Sequence, residues 1–410
     1  MRFAAGLLVP IVVGVVGVVG IAGIASPAHA ELPPITSRDY AIDLYDGVAI
    51  GDSTMIGMGG AGAADVIGTA GVLINPSAIA VRPTTDHDTW SLDYHFDYVT
   101  GQYSSDYDNN GVASSGGAEL VTAGFGGRYH DWALALTFTA QTTPEGDGGG
   151  GGDAPAALTA SVARARLALA KWIPDWDLAI GGGFQTATFQ VKPTDNNVFS
   201  ALSTNHSLFS ISGTGVIAGA TWLPHLESFR LAAAIDGPID GGQVKTSTCD
   251  PADCMGHILP DRVREPWRLV AGGAYRIAPT AWNQQVVGPF RDEPALTVAA
   301  DVVVTGATAD GFGLEAFGMN ELQRSGRHTA VSVRGGVDYE LMPGRMRLRA
   351  GSYWEPERFE DVSGRLHGTF GIDLRVLEFH LWGPRRGRLS FTGDVASQYR
   401  NLAFAIGFWH

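Results

Sequence analysis

Arg347 and Arg349 stand two residues apart in an alternating stretch, so both guanidiniums fall on one face and together could grip a carboxylate bidentately. They are the best-placed pair for ligand binding in a larger set that includes Arg128, Arg164, Arg166, Arg230, Arg268, Arg334, Arg345 and Arg375. Asp93, Asp97, Asp177, Asp236, Asp301, Asp338, Glu340 and Asp373 accompany them, and mutual ion pairing is the plainer role for each.

No catalytic constellation is visible. His87 and His95 have no adjacent Ser or Cys nucleophile, and no HExxH, GxSxG or phosphate-loop pattern occurs. Gly148 to Gly152 lack the following Lys-Ser/Thr that a phosphate loop needs and read as an external loop. Cys249 and Cys254, in CDPADC, have no second cysteine pair to complete a four-ligand metal site. Their expected state is a structural disulfide clipping a loop in an oxidising compartment. Neither a cofactor nor a metal is expected. Residues 309–325 place Phe312, Leu314, Phe317, Met319 and Leu322 in a loop at partly helical spacing. A short amphipathic helix offering a greasy groove to an arriving ligand is one reading, and packing against neighbouring loops is the other.

The elements that carry these residues alternate with period two. Trp90, Leu92, Tyr94, Phe96 and Tyr98 oppose Ser91, Asp93, His95 and Asp97. The pattern recurs in about 14 segments, at 88–102, 117–130, 131–143, 156–173, 175–192, 206–223, 228–238, 264–278, 294–306, 327–341, 345–356, 365–382, 387–396 and 399–409, with a phase slip at Val376-Leu377 that marks a bulge. Many segments exceed ten residues, too long for an ordinary β-sandwich and long enough to cross a bilayer at a tilt of about 45°. Tryptophans near segment ends, Trp90, Trp132, Trp172, Trp176, Trp222, Trp267, Trp354, Trp382 and Trp409, suit interfacial girdles. A lipid-facing Arg at mid-bilayer would cost about 2–4 kcal/mol, so the charged faces must line a lumen.

Composition agrees. Charged residues are only 17% and Gly numbers 55, against about 25% and about 7% in soluble domains. A net charge of −14 excludes a nucleic-acid binder with a broad basic face. Arg2, the apolar run from Phe3 to Ile24 and Ser26-Pro27-Ala28-His29-Ala30 read as a signal peptide over 1–30; an uncleaved anchor is the alternative its length leaves open. Short joints alternate with long links, which orients the barrel with both chain ends in the periplasm; the long link 278–293 falls where a short turn is expected.

Between the signal peptide and the first strand, residues 31–86 contain the Gly/Ala-rich stretch 51–80, which ends in Asn75-Pro76-Ser77. Gly57-Met58-Gly59-Gly60-Ala61 followed by Asn75-Pro76-Ser77, then Pro266-Trp267-Arg268-Leu269 with Leu296 to Asp301, and Arg334 to Tyr339 with Leu348 to Tyr353, occur in this order. In that order the chain resembles the FadL-like outer-membrane transporters of hydrophobic compounds over essentially the whole mature length. Ser77 departs from the usual Ala at its position.

The resemblance implies an all-β, antiparallel transmembrane β-barrel of about 14 strands over 87–410, with a luminal hatch within 31–86 that includes Gly57, Gly59, Gly60, Asn75, Pro76 and Ser77. It also implies passive uptake of a fatty-acid-like molecule or aromatic hydrocarbon across a Gram-negative outer membrane, from the external loops past the hatch and laterally into the membrane. The surroundings would be outer-membrane lipid and lipopolysaccharide, and the expected state is a monomer. A non-transporting barrel acting as a secretion or surface-attachment adaptor is the alternative. A membrane-embedded enzyme would need a Ser/His constellation that the chain does not display.

Overall fold

In the computed structural model the described residues are 32–100, 106–111, 118–145, 158–193, 207–246, 248–380 and 384–409. The signal-peptide region, the glycine run 148–152 and Trp382 lie outside them. Fourteen strands form one antiparallel sheet in strict sequence order. They are β1 (Trp90–Thr100), β2 (Glu119–Tyr129), β3 (Trp132–Glu145), β4 (Leu158–Ile173), β5 (Leu178–Pro193), β6 (Phe209–Trp222) and β7 (Phe229–Asp236). After them come β8 (Arg268–Ile277), β9 (Leu296–Thr305), β10 (Ala330–Met342), β11 (Met346–Glu355), β12 (Arg365–His380), β13 (Pro384–Ala396) and β14 (Tyr399–Phe408). All 14 expected segments are strands, and the phase slip is a bulge in the β12–β13 ladder between Arg375 and Leu377.

The alternation sorts side chains by solvent. On β3, Leu134 and Leu136 are 52% and 56% exposed, whereas Ala133, Ala135 and Thr137 are buried. Asp93, Asp97, Arg128, Arg164, Arg166, Arg230, Asp301, Arg334, Arg349 and Asp373 are buried on the inner face, while Phe96, Phe125, Leu167, Phe184, Val333 and Ile406 are exposed on the outer one. Buried charge with exposed leucine inverts a water-soluble protein and fits a wall standing in hydrocarbon. Among the described residues no helix is long and apolar enough to cross a membrane. Trp90, Trp132, Trp176, Trp222 and Trp354 are exposed near strand ends, but Trp409 is buried, with the Arg347 guanidinium 4.4 Å above its ring.

Short turns gather at one end of the barrel, with Trp409. Apart from 278–293, the described parts of the long segments gather at the other and form a cap. There, Ala41–Asp43 pairs in parallel with Arg262–Glu265 and with Gly311–Phe312, and Ile239–Gln243 completes a small four-stranded sheet. Ile35 N–H donates to the Asn320 carbonyl and Leu322 N–H to that of Pro33. The described N-terminal residues therefore lie at the long-loop end, opposite Trp409, and the expectation of both chain ends on one side is corrected. The reason is apolar: Ile35, Tyr40 and Ile42 belong to a cap core with Phe189, Phe209, Leu259 and Phe317, which a tether left outside would forgo.

Candidate functional site

The lumen is occupied by residues 49–81, whose backbone is held by wall side chains. Such a segment has no regular ladder of its own, so its polar groups need external partners. Asp301 accepts from Gly62 and Ala63 N–H at 2.8 and 2.9 Å, and Asp93 accepts from Thr69 N–H at 2.6 Å. Thr369 Oγ1 donates to the Gly57 carbonyl, Arg128 Nε to that of Ile79, and Arg166 Nη1 to that of Val72. Asp52 caps the short helix Ser53–Gly57 by accepting from Met55 N–H.

Asn75, Pro76 and Ser77 form one anchor. Asn75 Oδ1 accepts from Ser77 N–H and Ser77 Oγ, while Asn75 Nδ2 donates to Thr221 Oγ1 on β6 and to the Ala63 carbonyl. Pro76 begins a 3₁₀ turn where its missing N–H costs nothing. The wall is thinned to receive the turn: a Cβ at Gly181 would lie 2.6 Å from Pro76 backbone atoms. Gly336 and Gly351 similarly leave room for the backbone at Met58 and Gly59, and Gly59 and Gly60 turn with φ of 64° and 76°. Gly57 sits against Arg349 and Gly371.

Below this segment, toward the short turns, is a cavity of about 260 Å³ lined by Asp52, Asp65, Arg230, Trp282, Asp338 and Arg347, among others. Burial, and then the charge of Asp338, push the Asp65 carboxyl up to about 6. The link 278–293, unexplained by the sequence, is a folded strap across this mouth. Arg291 donates to the carbonyls of Thr280, Ala281 and Trp282, and its Nε lies 2.6 Å from Glu293. Trp282 is buried 3.9 Å beneath the Arg230 guanidinium, Val286 N–H reaches the Thr84 carbonyl, and Asp292 pairs with Arg386 on β13.

The proposed ligand-binding residues divide. Arg349 is enclosed between Asp338 at 2.6 Å and Asp373 at 2.7 Å, with no exposed side-chain surface. Its Nε and Nη2 both bond to carboxylates of the neighbouring strands. Arg347 lines the lower cavity, 3.4 Å from Glu340. Phe312, Leu314, Phe317 and Leu322 do not form an open groove; they pack into or against the cap core, with Phe317 edge-on to Phe209 and Phe312 edge-on to Tyr40. Met319 follows the short helix Leu314–Gly318, and its N–H bonds back to Glu315 and Ala316. A smaller cavity of about 90 Å³ beneath the cap does reach Leu314, with Leu44, Tyr45, Val48, Val162 and Phe359. Cys249 and Cys254 are disulfide-bonded.

Sequence reasoning passed over several contributors. Arg358 grips Asp43 at 2.8 Å and so fixes the chain where it enters the cap. Arg388 reaches Asp97 at 3.2 Å and donates to Ser53 and Thr54 Oγ. Its position on the inward parity of β13 was a usable signal. Arg358 lies in a loop, where no periodicity points.

Solved structures share this architecture at low identity. A Pseudomonas aeruginosa FadL homologue aligns with a TM-score of 0.52 and 12% identity, covering 87% of this chain and 95% of that one. The Ralstonia pickettii toluene transporter TbuX gives 0.53 and 14%, covering 88% and 98%. The P. putida toluene transporter TodX gives 0.50 and 14%, covering 88% and 96%. No protein-family model and no curated protein matches the chain. The likeness is one of fold, that of FadL-like barrels.

Proposed function

We propose that this chain is an outer-membrane channel for passive uptake of small hydrophobic molecules, fatty acids or hydrocarbons, with residues 51–80 as its hatch. The observation that carries the reading is the occupied lumen: a segment of small residues, pinned through its own backbone to the inner wall, inside a barrel whose outer face is apolar. A ligand of this class needs no energy source, since its gain on leaving water, about 0.8 kcal/mol per CH₂, drives the last step. The solved barrels of this fold include proteins described as toluene transporters, which supports the ligand class.

In this reading the cap faces outward, the short-turn end and Trp409 face the periplasm, and a single barrel suffices. The small cavity under the cap is the first station for ligand. The strap across the opposite mouth supports lateral departure into the membrane, because a straight path out of the barrel would have to displace Trp282 and Arg291. The chain is read as a channel, with no enzymatic step.

The test is uptake of labelled hydrocarbon or fatty acid by cells, and transfer into proteoliposomes, with and without the protein. Equal entry in both would sink the proposal; co-purification of a stable protein partner with no uptake would favour the adaptor.

A further inference from the structure

The cavity at the short-turn end holds an arginine that the wall does not neutralise. Arg230, on β7, is 3% exposed and lines this cavity. Its partners are the Trp282 ring, 3.9 Å beneath the guanidinium, and Asn283 Oδ1, which accepts from Nε at 2.9 Å. Among the described residues no carboxylate stands within ion-pair distance of it, and neither Nη1 nor Nη2 makes a hydrogen bond. Arg349, Arg358 and Arg388, which are also buried, each hold an aspartate. A buried charge is costly unless it is paired, so Arg230 calls for a partner from outside the wall.

The strap builds the geometry for one. Asn283 N–H donates to the Glu227 carbonyl, and its Nδ2 donates to the carbonyls of Pro224 and Phe229. Its amide is thereby fixed with Oδ1 toward Arg230. Trp282, whose N–H donates to Ser228 Oγ at 3.3 Å, covers one face of the guanidinium. With one face and Nε taken, the Nη edge is left to the cavity. That edge is a planar fork of N–H donors, which matches two oxygens of a carboxylate or phosphate. A fork held in place before the ligand arrives lowers the ordering cost of binding.

The surrounding charge favours an anion. Arg276 on β8 and Arg291 on the strap also line the cavity, and both pair with Glu293, at 3.4 and 2.6 Å. Among the described residues, Arg230, Arg276 and Arg291 therefore have one carboxylate within ion-pair distance between them. Asp52, Asp292, Asp338 and Glu340 line the cavity too, but each is paired with another arginine. Asp65, on the hatch, lines the same space with no ion pair among the described residues.

We propose that the cavity behind the strap is a receptor for a small oxyanion, a carboxylate or phosphate group held by Arg230 Nη1 and Nη2, with Arg276 and Arg291 adding positive charge. The assignment goes beyond the channel reading and does not depend on it. The anion joins β7 to the strap, so its binding holds the strap across the mouth.

Two measurements test it. In the first, isothermal titration of the purified protein in detergent uses sodium benzoate and inorganic phosphate in separate runs. Saturable binding of at least one is expected, weakened about tenfold or more in Arg230→Gln, with the heat-modified gel mobility of a folded barrel retained. Benzoate alone assigns the site to organic acids, phosphate alone to inorganic oxyanions, and both to small oxyanions in general; each bears the proposal out. Saturable binding of neither overturns it and leaves Asp65 as the counter-charge across the cavity. Binding that Arg230→Gln leaves unchanged overturns it as well.

The second measurement needs no variant. Hydrogen exchange of amides 280–293 in the unaltered protein is compared without anion and with the bound anion at about ten times its dissociation constant. Exchange about tenfold slower is expected in the strap, with amides 132–145 of β3 unaffected. Equal exchange of the strap in both conditions overturns the proposal.

Discussion

Asn75 in the lumen and Thr221 on β6, 146 residues apart, are joined by a 2.9 Å hydrogen bond, and Ser77 Oγ stands 2.8 Å from the same threonine hydroxyl. A three-residue motif thus closes on itself and on the wall through one buried side chain. Asn75→Ala strands the Ser77 N–H and takes one donor from the Thr221 hydroxyl, which keeps Ser77 Oγ, at a cost of about 1–3 kcal/mol. Pro76→Ala removes the fixed φ that starts the 3₁₀ turn, at a cost below about 1 kcal/mol. Single-channel conductance should show raised leakage for both, larger for Asn75→Ala; unchanged conductance would argue against an anchoring role.

Gly336 and Gly351 face the backbone at Met58 and Gly59 so closely that neither tolerates a Cβ without movement. Gly351→Val is therefore expected to push the segment off the wall, at about 1–3 kcal/mol for overpacking. Limited proteolysis should cut within 51–80 in the variant and not in the unaltered protein, while the heat-modified gel mobility typical of a folded barrel persists.

The pH response of the hatch should follow Asp65. Its carboxyl is raised from 3.8 to about 6 by burial and by Asp338, so the folded state holds the proton more tightly than the unfolded chain. This contribution is fully present below about pH 4 and is lost as pH rises through about 6. Asp65→Asn keeps a neutral group at all pH and should make the hatch more stable than the unaltered protein at pH 7.5, by about 1–2 kcal/mol, with the difference vanishing near pH 4. Hydrogen exchange of amides 61–70 at the two pH values reads this directly, and a pH-independent difference would contradict it.

The strap predicts a separate leak. Arg291→Ala removes donors to three consecutive carbonyls and to Glu293, worth about 1.5–3 kcal/mol for bonds to a charged group. Entry of a small hydrophilic dye into the lumen from the short-turn side should rise, with strand content unchanged by circular dichroism. A dye-tight variant would mean that the hatch alone seals that mouth.

Arg347 and Arg349 should separate on mutation. Arg349→Ala leaves the buried Asp373, and the partly exposed Asp338, with reduced compensation, a loss of about 3–5 kcal/mol that denaturant unfolding would register. Arg347→Ala, at a position lining the cavity with one carboxylate partner, should cost less. Equal losses would contradict the division.

Much of the wall was readable because strand alternation is local. Leu134 and Leu136 against Ala133 and Ala135 declare their faces without knowledge of any other strand, and the bulge at Val376-Leu377 announced itself as a break in that rhythm. The lumen was less readable. Arg347 and Arg349 share strand, face and chemistry, yet one lies between two carboxylates from neighbouring strands while the other reaches the cavity. The loop hydrophobics Phe312, Leu314, Phe317 and Leu322 read equally as a groove or as packing; Phe317 lies in the cap core with Tyr40, Phe209 and Leu259, and the other three pack against it.

By itself the sequence determined the strand count, the inward and outward faces, and that 51–80 could not be an ordinary core element. Those properties follow from side-chain period and residue size, which neighbours along the chain display. Only the tertiary structure decided that the N-terminal residues reach the cap, that 278–293 folds across the opposite mouth, and that Arg388 on β13 meets Asp97 on β1. Each of these depends on which surfaces meet when the sheet curls round on itself, bringing Pro33 to Leu322, Thr84 to Val286 and Asp97 to Arg388 across separations that no local pattern encodes.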